Sequence, residues 1–147
     1  AAEEVASRGY LVHTLAARFQ NAFVWGGLPA AFFTIVHWDP AALPFMNATI
    51  LISIASFAAA ATILVYATGN LGAAMGVDFG MNFFGLMLVS HASWLNGAAL
   101  FVSRPLDAGG WTLGDAALLT VNGVLSMTMI VWLLLARRSP LRLKTRD

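Results

Sequence analysis

The stretch FMNATILISIASFAAAATILVYA, residues 45–67, is apolar throughout and contains no charged side chain. A transmembrane helix needs roughly 20 apolar residues to cross about 30 Å of hydrocarbon, so this stretch predicts a membrane span. Three further segments meet the same criterion, namely residues 21–38, 79–102 and 114–136. The sequence therefore predicts an all-α integral membrane protein, a bundle of four transmembrane helices that forms a single domain over residues 1–147.

The composition supports this prediction. Hydrophobic residues make up 59% of the 147 positions and charged residues only 10%, whereas a soluble domain has about a quarter charged residues. So few charges cannot cover a soluble surface, and the lipid bilayer is the expected solvent. The chain has no cysteine, which excludes disulfides, thiolate metal sites and thiol nucleophiles formed by this chain alone.

The basic residues predict an orientation in the membrane. Five of the eight lie in the tail 137–147, and they are Arg137, Arg138, Arg142, Lys144 and Arg146. Because cytoplasmic ends carry excess Lys and Arg, both termini are expected to be cytoplasmic, in a bacterial inner membrane. Such a tail is typical of a topology anchor and does not indicate binding to nucleic acid. Residues 5–20 are expected to form a short interfacial helix whose Arg8 and Arg18 reach lipid headgroups.

Three polar residues near the predicted helix ends are expected to have structural roles. Asp115 at the start of the fourth span is favoured by the helix dipole. Asn70 and Asp78 lie in the connection before the third span, where Asn and Asp commonly cap helix N-termini. We therefore expect all three to stabilise helix ends.

Two stripes of small and polar residues predict where helices pack. One follows the second span and comprises Thr49, Ser53, Ser56 and Ala60. The other follows the fourth span and comprises Ala116, Thr120, Gly123 and either Ser126 or Met127. Membrane helices associate through close backbone approach and hydrogen bonds, so these stripes predict contacts within a compact bundle or with other subunits.

His91 lies in the middle of the apolar run NFFGLMLVSHASWLNGAALF, residues 82–101. At 100° per residue it shares a helix face with Phe84, Met87 and Trp94. An unpaired polar group in hydrocarbon costs several kcal/mol, so the imidazole needs a partner. The simplest partner is a Ser, Thr or Asn of a neighbouring helix. The alternative is a cofactor, with His91 as the ligand of a haem or chlorophyll, or as a quinone contact, and with Trp94, Met87 and Phe84 as the apolar wall.

His37 does not complete such a site. It lies at the end of the first span, and a rise of 1.5 Å per residue separates it from His91 by roughly 15 Å in depth. The axial ligands of one haem lie only about 4 Å apart. We therefore expect His37 to be an interfacial cap, with a quinone or metal role as the alternative. No His-x-x-x-His or Glu-x-x-His pair occurs, so no metal site is predicted.

The sequence assigns no catalytic residue. No carboxylate lies in the middle of a predicted span, and no Ser–His–Asp set lies at matching depth. The primary expectation is a non-catalytic accessory or anchoring subunit of a larger inner-membrane complex, respiratory or photosynthetic, with other membrane subunits as partners. One alternative is a tetrapyrrole- or quinone-binding subunit with His91 as ligand, although the sequence requires no cofactor. The other is a small oligomeric membrane enzyme or transporter.

Overall fold

A computed structural model describes residues 2–90 and 98–145. Helix α1 covers residues 2–16, and π-helical Val5–Leu11 forms its centre. The later helices are α2, Phe23–Ile35; α3, Pro44–Thr68; α4, Leu71–Leu88; and α5, Leu113–Leu135. Two short strands, β1 (Val89–Ser90) and β2 (Phe101–Val102), pair in parallel after α4. The described chain is therefore mostly helical.

The helix lengths and compositions confirm the predicted membrane bundle. Helices α3, α4 and α5 are each long and apolar enough to cross a membrane, and α2 is a shorter apolar helix. The 25 residues of α3 span about 38 Å at 1.5 Å per residue, more than the hydrocarbon thickness of about 30 Å. The chain is an integral membrane protein, and its solvent is the lipid bilayer.

The turn between α3 and α4 decides where α4 begins. Gly69 ends α3 in the left-handed conformation, with φ 66°, which glycine adopts without steric cost. Asn70 then caps α4, because its side-chain oxygen accepts a hydrogen bond from Gly72 N at 2.7 Å. The expected capping role of Asn70 is confirmed, whereas that of Asp78 is wrong. Asp78 lies inside α4, because the helix starts eight residues earlier than the predicted position 79.

The third predicted span also differs from the structure at its other end. Helix α4 ends at Leu88, followed by strand β1. Of the expected helical residues beyond it, 98–102 are not helical. The parallel pairing of Val89 with Phe101 satisfies backbone groups there that a continuous helix would have satisfied internally.

The start of α5 follows the prediction for Asp115. The Thr112 hydroxyl accepts a hydrogen bond from Asp115 N at 3.2 Å, and the Asp115 carboxylate accepts one from Thr112 N at 2.9 Å. This reciprocal capping box satisfies two backbone donors that no helical carbonyl reaches.

Helix α3 forms the centre of the bundle and contacts the other four helices. In the most apolar 18-residue stretch of α3, 33% of the residues are buried, whereas 6% are buried in the corresponding stretch of α4 and 6% in that of α5. The two predicted stripes meet here. The Thr49 hydroxyl donates to the Ala116 carbonyl at 3.1 Å, and a Cβ added to Gly123 would lie 2.8 Å from Ser53 Oγ. The structure thus assigns the stripes to contact within the chain.

Helix α1 packs against α2, α3 and α4. The approach to α4 is close at Gly9, where an added Cβ would lie 3.3 Å from Leu71 Cδ2. Arg8 is turned into this packing and is only 1% exposed. The expectation that Arg8 reaches lipid headgroups is therefore wrong, because an acidic partner on the same helix makes its burial possible.

Candidate functional site

The acidic partner of Arg8 is Glu4. The two residues are four positions apart on α1, which places their side chains on one helix face. Arg8 Nη1 donates to Glu4 Oε1 at 2.6 Å, and both side chains are almost fully buried. The guanidinium also lies over aromatic rings of two neighbouring helices, 4.4 Å from the ring centre of Phe33 and 5.6 Å from that of Phe57. These cation–π contacts replace part of the lost hydration of Arg8.

Two polar atoms of this buried ion pair lack hydrogen-bond partners in the described structure. Glu4 Oε2 and Arg8 Nη2 are both buried and lack a hydrogen-bond partner within the described residues. Burial raises the pKa of Glu4, and the nearby Arg8 opposes that rise. Breaking such a pair by removing one partner is costly, since it leaves an isolated buried charge. Buried charges with incomplete partners are more common at functional sites than elsewhere.

Glu3 directly precedes Glu4 in the sequence, and its side chain borders two cavities. Its side chain is exposed and lines two adjoining cavities together with Phe33 and His37. The first, which we call the apolar cavity, has a volume of about 280 Å³ and is otherwise lined by Ala6, Ser7, Leu11, Pro29, Phe32 and Val36. The second, which we call the polar cavity, has a volume of about 260 Å³ and is otherwise lined by Ser53, Ile54, Phe57, Asp78, Met81 and Asn82.

His37 follows the end of α2, and its ring is held by Phe33. Its Nδ1 lies 2.8 Å from the Phe33 carbonyl oxygen, and the two rings are 5.0 Å apart. A carbonyl oxygen only accepts hydrogen bonds, so Nδ1 must carry the proton in this contact. In the neutral ring, Nε2 is then left as an acceptor. The predicted interfacial cap is therefore a cavity-lining residue with a fixed ring orientation.

Helix α4 contributes Asp78 and Asn82, which are one turn apart. Asn82 Nδ2 donates to the Asp78 backbone carbonyl at 2.9 Å and to its carboxylate at 3.1 Å. Asp78 is half-buried, and it influences the electrostatics of both Glu4 and Arg8. The late start of α4 predicted from the sequence would have placed Asp78 at a helix end, away from this packing.

Glu3 and His37 place a carboxylate and an imidazole beside the same two cavities. A carboxylate and an imidazole that border one cavity can remove a proton from water and return it to a leaving group. Within residues 2–90 and 98–145, no three His, Asp or Glu side chains are placed to bind one metal ion.

Of the four residues predicted to bind a cofactor, two lie away from these cavities and two lie outside the described residues. His91 and Trp94 lie outside the described residues. Phe84 and Met87 lie on the π-helical end of α4, where both are exposed, and neither lines the apolar or the polar cavity. A cofactor at His91 remains a prediction.

The sequence reasoning did not identify Glu3, Glu4 or Asp78 as site residues. One signal was available, because two adjacent glutamates and an arginine four positions later are conspicuous in a chain with 10% charged residues. A similar spacing of four separates Phe33 and His37. These signals led to no prediction because a catalytic carboxylate was expected only in the middle of a membrane span, and residues 1–20 were assigned to the membrane surface.

Comparison with known proteins bears directly on these residues. A family model described as "Type II CAAX prenyl endopeptidase Rce1-like" matches residues 1–84. The match includes α1, α2, α3 and most of α4, and with them Glu3, His37 and Asp78. No curated protein and no solved structure matches the chain.

This match overturns the predicted function. An endopeptidase is an enzyme, so the expectation of a non-catalytic accessory subunit in an electron-transfer complex is wrong. The expectation failed because the carboxylates and the imidazole of the site come from separate parts of the chain. The alternative of a small membrane enzyme agrees better with the match.

Proposed function

This chain belongs to the Rce1-like family of type II CAAX prenyl endopeptidases, and we propose that it is a membrane endopeptidase. Its proposed substrate is a peptide with a prenyl group on the cysteine of a C-terminal C-a-a-X motif. The observation that best supports this proposal is that Glu3 and His37, from separate helical regions, line the same two cavities.

The two cavities suit the two parts of such a substrate. The apolar cavity, walled by Pro29, Phe32 and Val36, would take the prenyl chain, because burial of apolar surface is worth about 25 cal/mol per Å². The polar cavity, with Asp78 and Asn82, would take the peptide that follows the modified cysteine. The scissile bond then lies beside Glu3 and His37, which border both cavities.

In the proposed reaction Glu3 is the general base. Its carboxylate takes a proton from water while the water oxygen bonds to the peptide carbonyl carbon. Collapse of the tetrahedral intermediate breaks the C–N bond, and the proton held by Glu3 passes to the leaving amine. His37 Nε2 accepts a hydrogen bond from the water and orients it, since Nδ1 is held by the Phe33 carbonyl at 2.8 Å.

The two adjacent glutamates have different roles in this proposal. Glu4 is buried and bound to Arg8 at 2.6 Å, so it is not accessible to a water molecule in a cavity. Glu3 is exposed and borders both cavities. The Glu4–Arg8 pair therefore fixes α1 between its neighbours, and the next residue along the helix performs the chemistry.

The proposal is tested by peptide cleavage in proteoliposomes. A fluorogenic prenyl-cysteine peptide is incubated with the purified chain and with the variants Glu3→Gln and His37→Ala. Loss of a general base typically costs 10²- to 10⁴-fold, so we expect kcat to fall by at least about 100-fold for Glu3→Gln. His13→Ala and Asp107→Asn, which change exposed residues outside both cavities, are the matched controls and should retain activity.

Two results would contradict the proposal. One is a pure, folded wild-type chain that cleaves no prenylated peptide. The other is Glu3→Gln activity equal to that of the Asp107→Asn control. A peptide without the prenyl group tests the role of the apolar cavity, and its KM should be higher.

The predicted topology remains part of the proposal. The basic tail supports cytoplasmic termini in a bacterial inner membrane, and labelling of a cysteine introduced at position 141 in intact cells would test this orientation. Association with other membrane subunits, proposed from the apolar outer faces of α4 and α5, can be tested by native mass spectrometry.

A further inference from the structure

We propose that Asn47, on the first turn of α3, is a positioning residue that holds His37 where its ring can orient the attacking water. The inference rests on the proposed function, because that water is the nucleophile of the proposed cleavage. Asn47 lines neither the apolar nor the polar cavity, so it acts through the backbone that follows His37.

His37 lies beyond the last regular turn of α2. The helix ends at Ile35, and the amides of His37 and Trp38 each donate at 3.1 Å to a carbonyl only three residues earlier. Such bonds have poorer geometry than those of an α-helix, and helix ends fray. The hydrogen bond from the ring to the Phe33 carbonyl at 2.8 Å therefore depends on what holds the chain after His37.

Asn47 holds that chain at Asp39, two residues after His37. The side-chain oxygen of Asn47 accepts a hydrogen bond from Asp39 N at 3.0 Å, and its Nδ2 donates to the Asp39 carbonyl at 2.6 Å. Nδ2 also donates to the Ala42 carbonyl at 3.4 Å. One amide side chain thus pairs with both backbone polar groups of Asp39, and only the amide group of Asn or Gln offers a donor and an acceptor in this arrangement.

Burial makes this contact specific. The Asn47 side chain is only 1% exposed, and the adjacent Ala42 and Met46 are buried together with Ala116 of α5. Because so little of the amide is accessible to solvent, water does not readily replace Asp39 as its partner, and losing that partner would leave buried polar groups unpaired. The residue after the site is therefore fixed relative to α3, which also provides Ser53 and Phe57 to the polar cavity.

Thr49, two residues further along α3, provides a matched contrast. It is also buried, and among the described residues its hydroxyl bonds to groups of α3 and α5 and not to the connection after His37. Loss of either side chain should lower stability, but only loss of Asn47 should displace the imidazole. A displacement of about 1 Å in a catalytic group can lower the rate by about 100-fold.

The kinetic test measures cleavage of the fluorogenic prenyl-cysteine peptide by the full chain in proteoliposomes. We expect Asn47→Ala to lower kcat by at least about tenfold and to change KM by less than about twofold, because the geometry of the reacting groups changes and the cavities do not. In a His37→Ala background the same substitution should lower kcat by less than about twofold, since residues that act together are not additive. Thr49→Val is the control and should retain the wild-type kcat.

A spectroscopic test observes the ring without any cleavage. In ¹⁵N NMR of histidine-labelled protein, the signal that disappears in His37→Ala belongs to His37. We expect the neutral wild-type ring to carry its proton on Nδ1, which donates to the Phe33 carbonyl. Asn47→Ala should add the form with the proton on Nε2, whereas Thr49→Val should give the wild-type spectrum.

The outcomes separate this inference from the proposed function. An Asn47→Ala variant that cleaves as well as Thr49→Val, that loses the same factor in both backgrounds, or that keeps the wild-type His37 signal would overturn the positioning role and leave the endopeptidase intact. A folded wild-type chain that cleaves no peptide would overturn both. If Asn47→Ala does not fold, Asn47→Asp decides, because it keeps the acceptor for Asp39 N and loses the amide donor. It should lower kcat by roughly threefold or more, as loss of one hydrogen bond predicts, with the same change in the His37 signal.

Discussion

The interface between α3 and α5 and the ion pair on α1 both bury polar groups in an apolar bundle, but they do so differently. At the interface, the Thr49 hydroxyl donates to the Ala116 carbonyl at 3.1 Å and accepts a hydrogen bond from Thr120 at 3.0 Å. On α1, Glu4 Oε2 and Arg8 Nη2 are buried without a hydrogen-bond partner in the described structure.

This difference separates groups that hold the bundle together from groups that lie at the proposed site. Hydroxyls that bond to backbone carbonyls of their own or the next helix stabilise packing at low cost. A buried ion pair costs much more to desolvate, and replacing such a pair with well-packed apolar residues is often neutral or stabilising. Its presence beside two cavities is better explained by the position it gives to Glu3, the preceding residue on α1, than by stability.

The largest expected effect comes from breaking the ion pair. Arg8→Met leaves the Glu4 carboxylate buried without its cation, and we expect the free energy of unfolding to fall by about 3–5 kcal/mol. Denaturant unfolding of the purified chain in bicelles measures the change. The double variant Glu4→Gln/Arg8→Met removes both charges and should recover most of the lost stability.

The double variant also sharpens the comparison of the two regions. If it is as stable as wild type but cleaves peptide poorly, the ion pair serves the site. Equal destabilisation by the double and single variants would show that the pair contributes packing and hydrogen bonds that Gln and Met do not replace.

A smaller effect is expected from crowding the interface of α3 and α5. A Cβ at position 123 would lie 2.8 Å from Ser53 Oγ and 3.3 Å from Ser53 Cβ, so Gly123→Ala should cost about 1–3 kcal/mol, as is usual for overpacking. Gly76→Ala is the matched control, because no described atom beyond its chain neighbours and its own helix backbone lies within 4 Å of the added Cβ. That control should be neutral or stabilising by up to about 1 kcal/mol. Similar costs for both variants in the same unfolding assay would argue against close packing at Gly123.

The smallest effect is expected from a single interface hydroxyl. Thr49→Val keeps the shape of the side chain and removes the hydrogen bond to Ala116, which should cost about 0.6–1 kcal/mol. Thr128→Val is the control, since Thr128 is exposed and, among the described residues, its hydroxyl donates within its own helix to the Val124 carbonyl at 2.8 Å. A Thr49→Val variant no less stable than Thr128→Val would mean that this interhelical bond contributes nothing to stability.

Much of the fold was predictable because it depends on local properties of the sequence. Apolar length identifies the spans, and helical spacing identifies the stripes at Thr49 and Ala116. The residue at which a helix begins was harder to predict from the sequence. Asn70 and Asp78 both have residue types that cap helices, and only the Gly69–Asn70 geometry shows that α4 begins at the first of them.

The sequence by itself determined the class of this protein, an integral membrane bundle of helices, because hydropathy and periodicity are properties of single segments. The tertiary structure alone decided the candidate site. Residues 3, 37 and 78 are far apart in the chain, and nothing local in any one segment indicates that they border one cavity. Arg8 shows the physical reason most directly. In a membrane protein, an arginine side chain ordinarily has its lowest free energy among the lipid headgroups. Burial becomes favourable only when packing surrounds the guanidinium with partners such as a carboxylate and two aromatic rings. Only the folded chain supplies those partners.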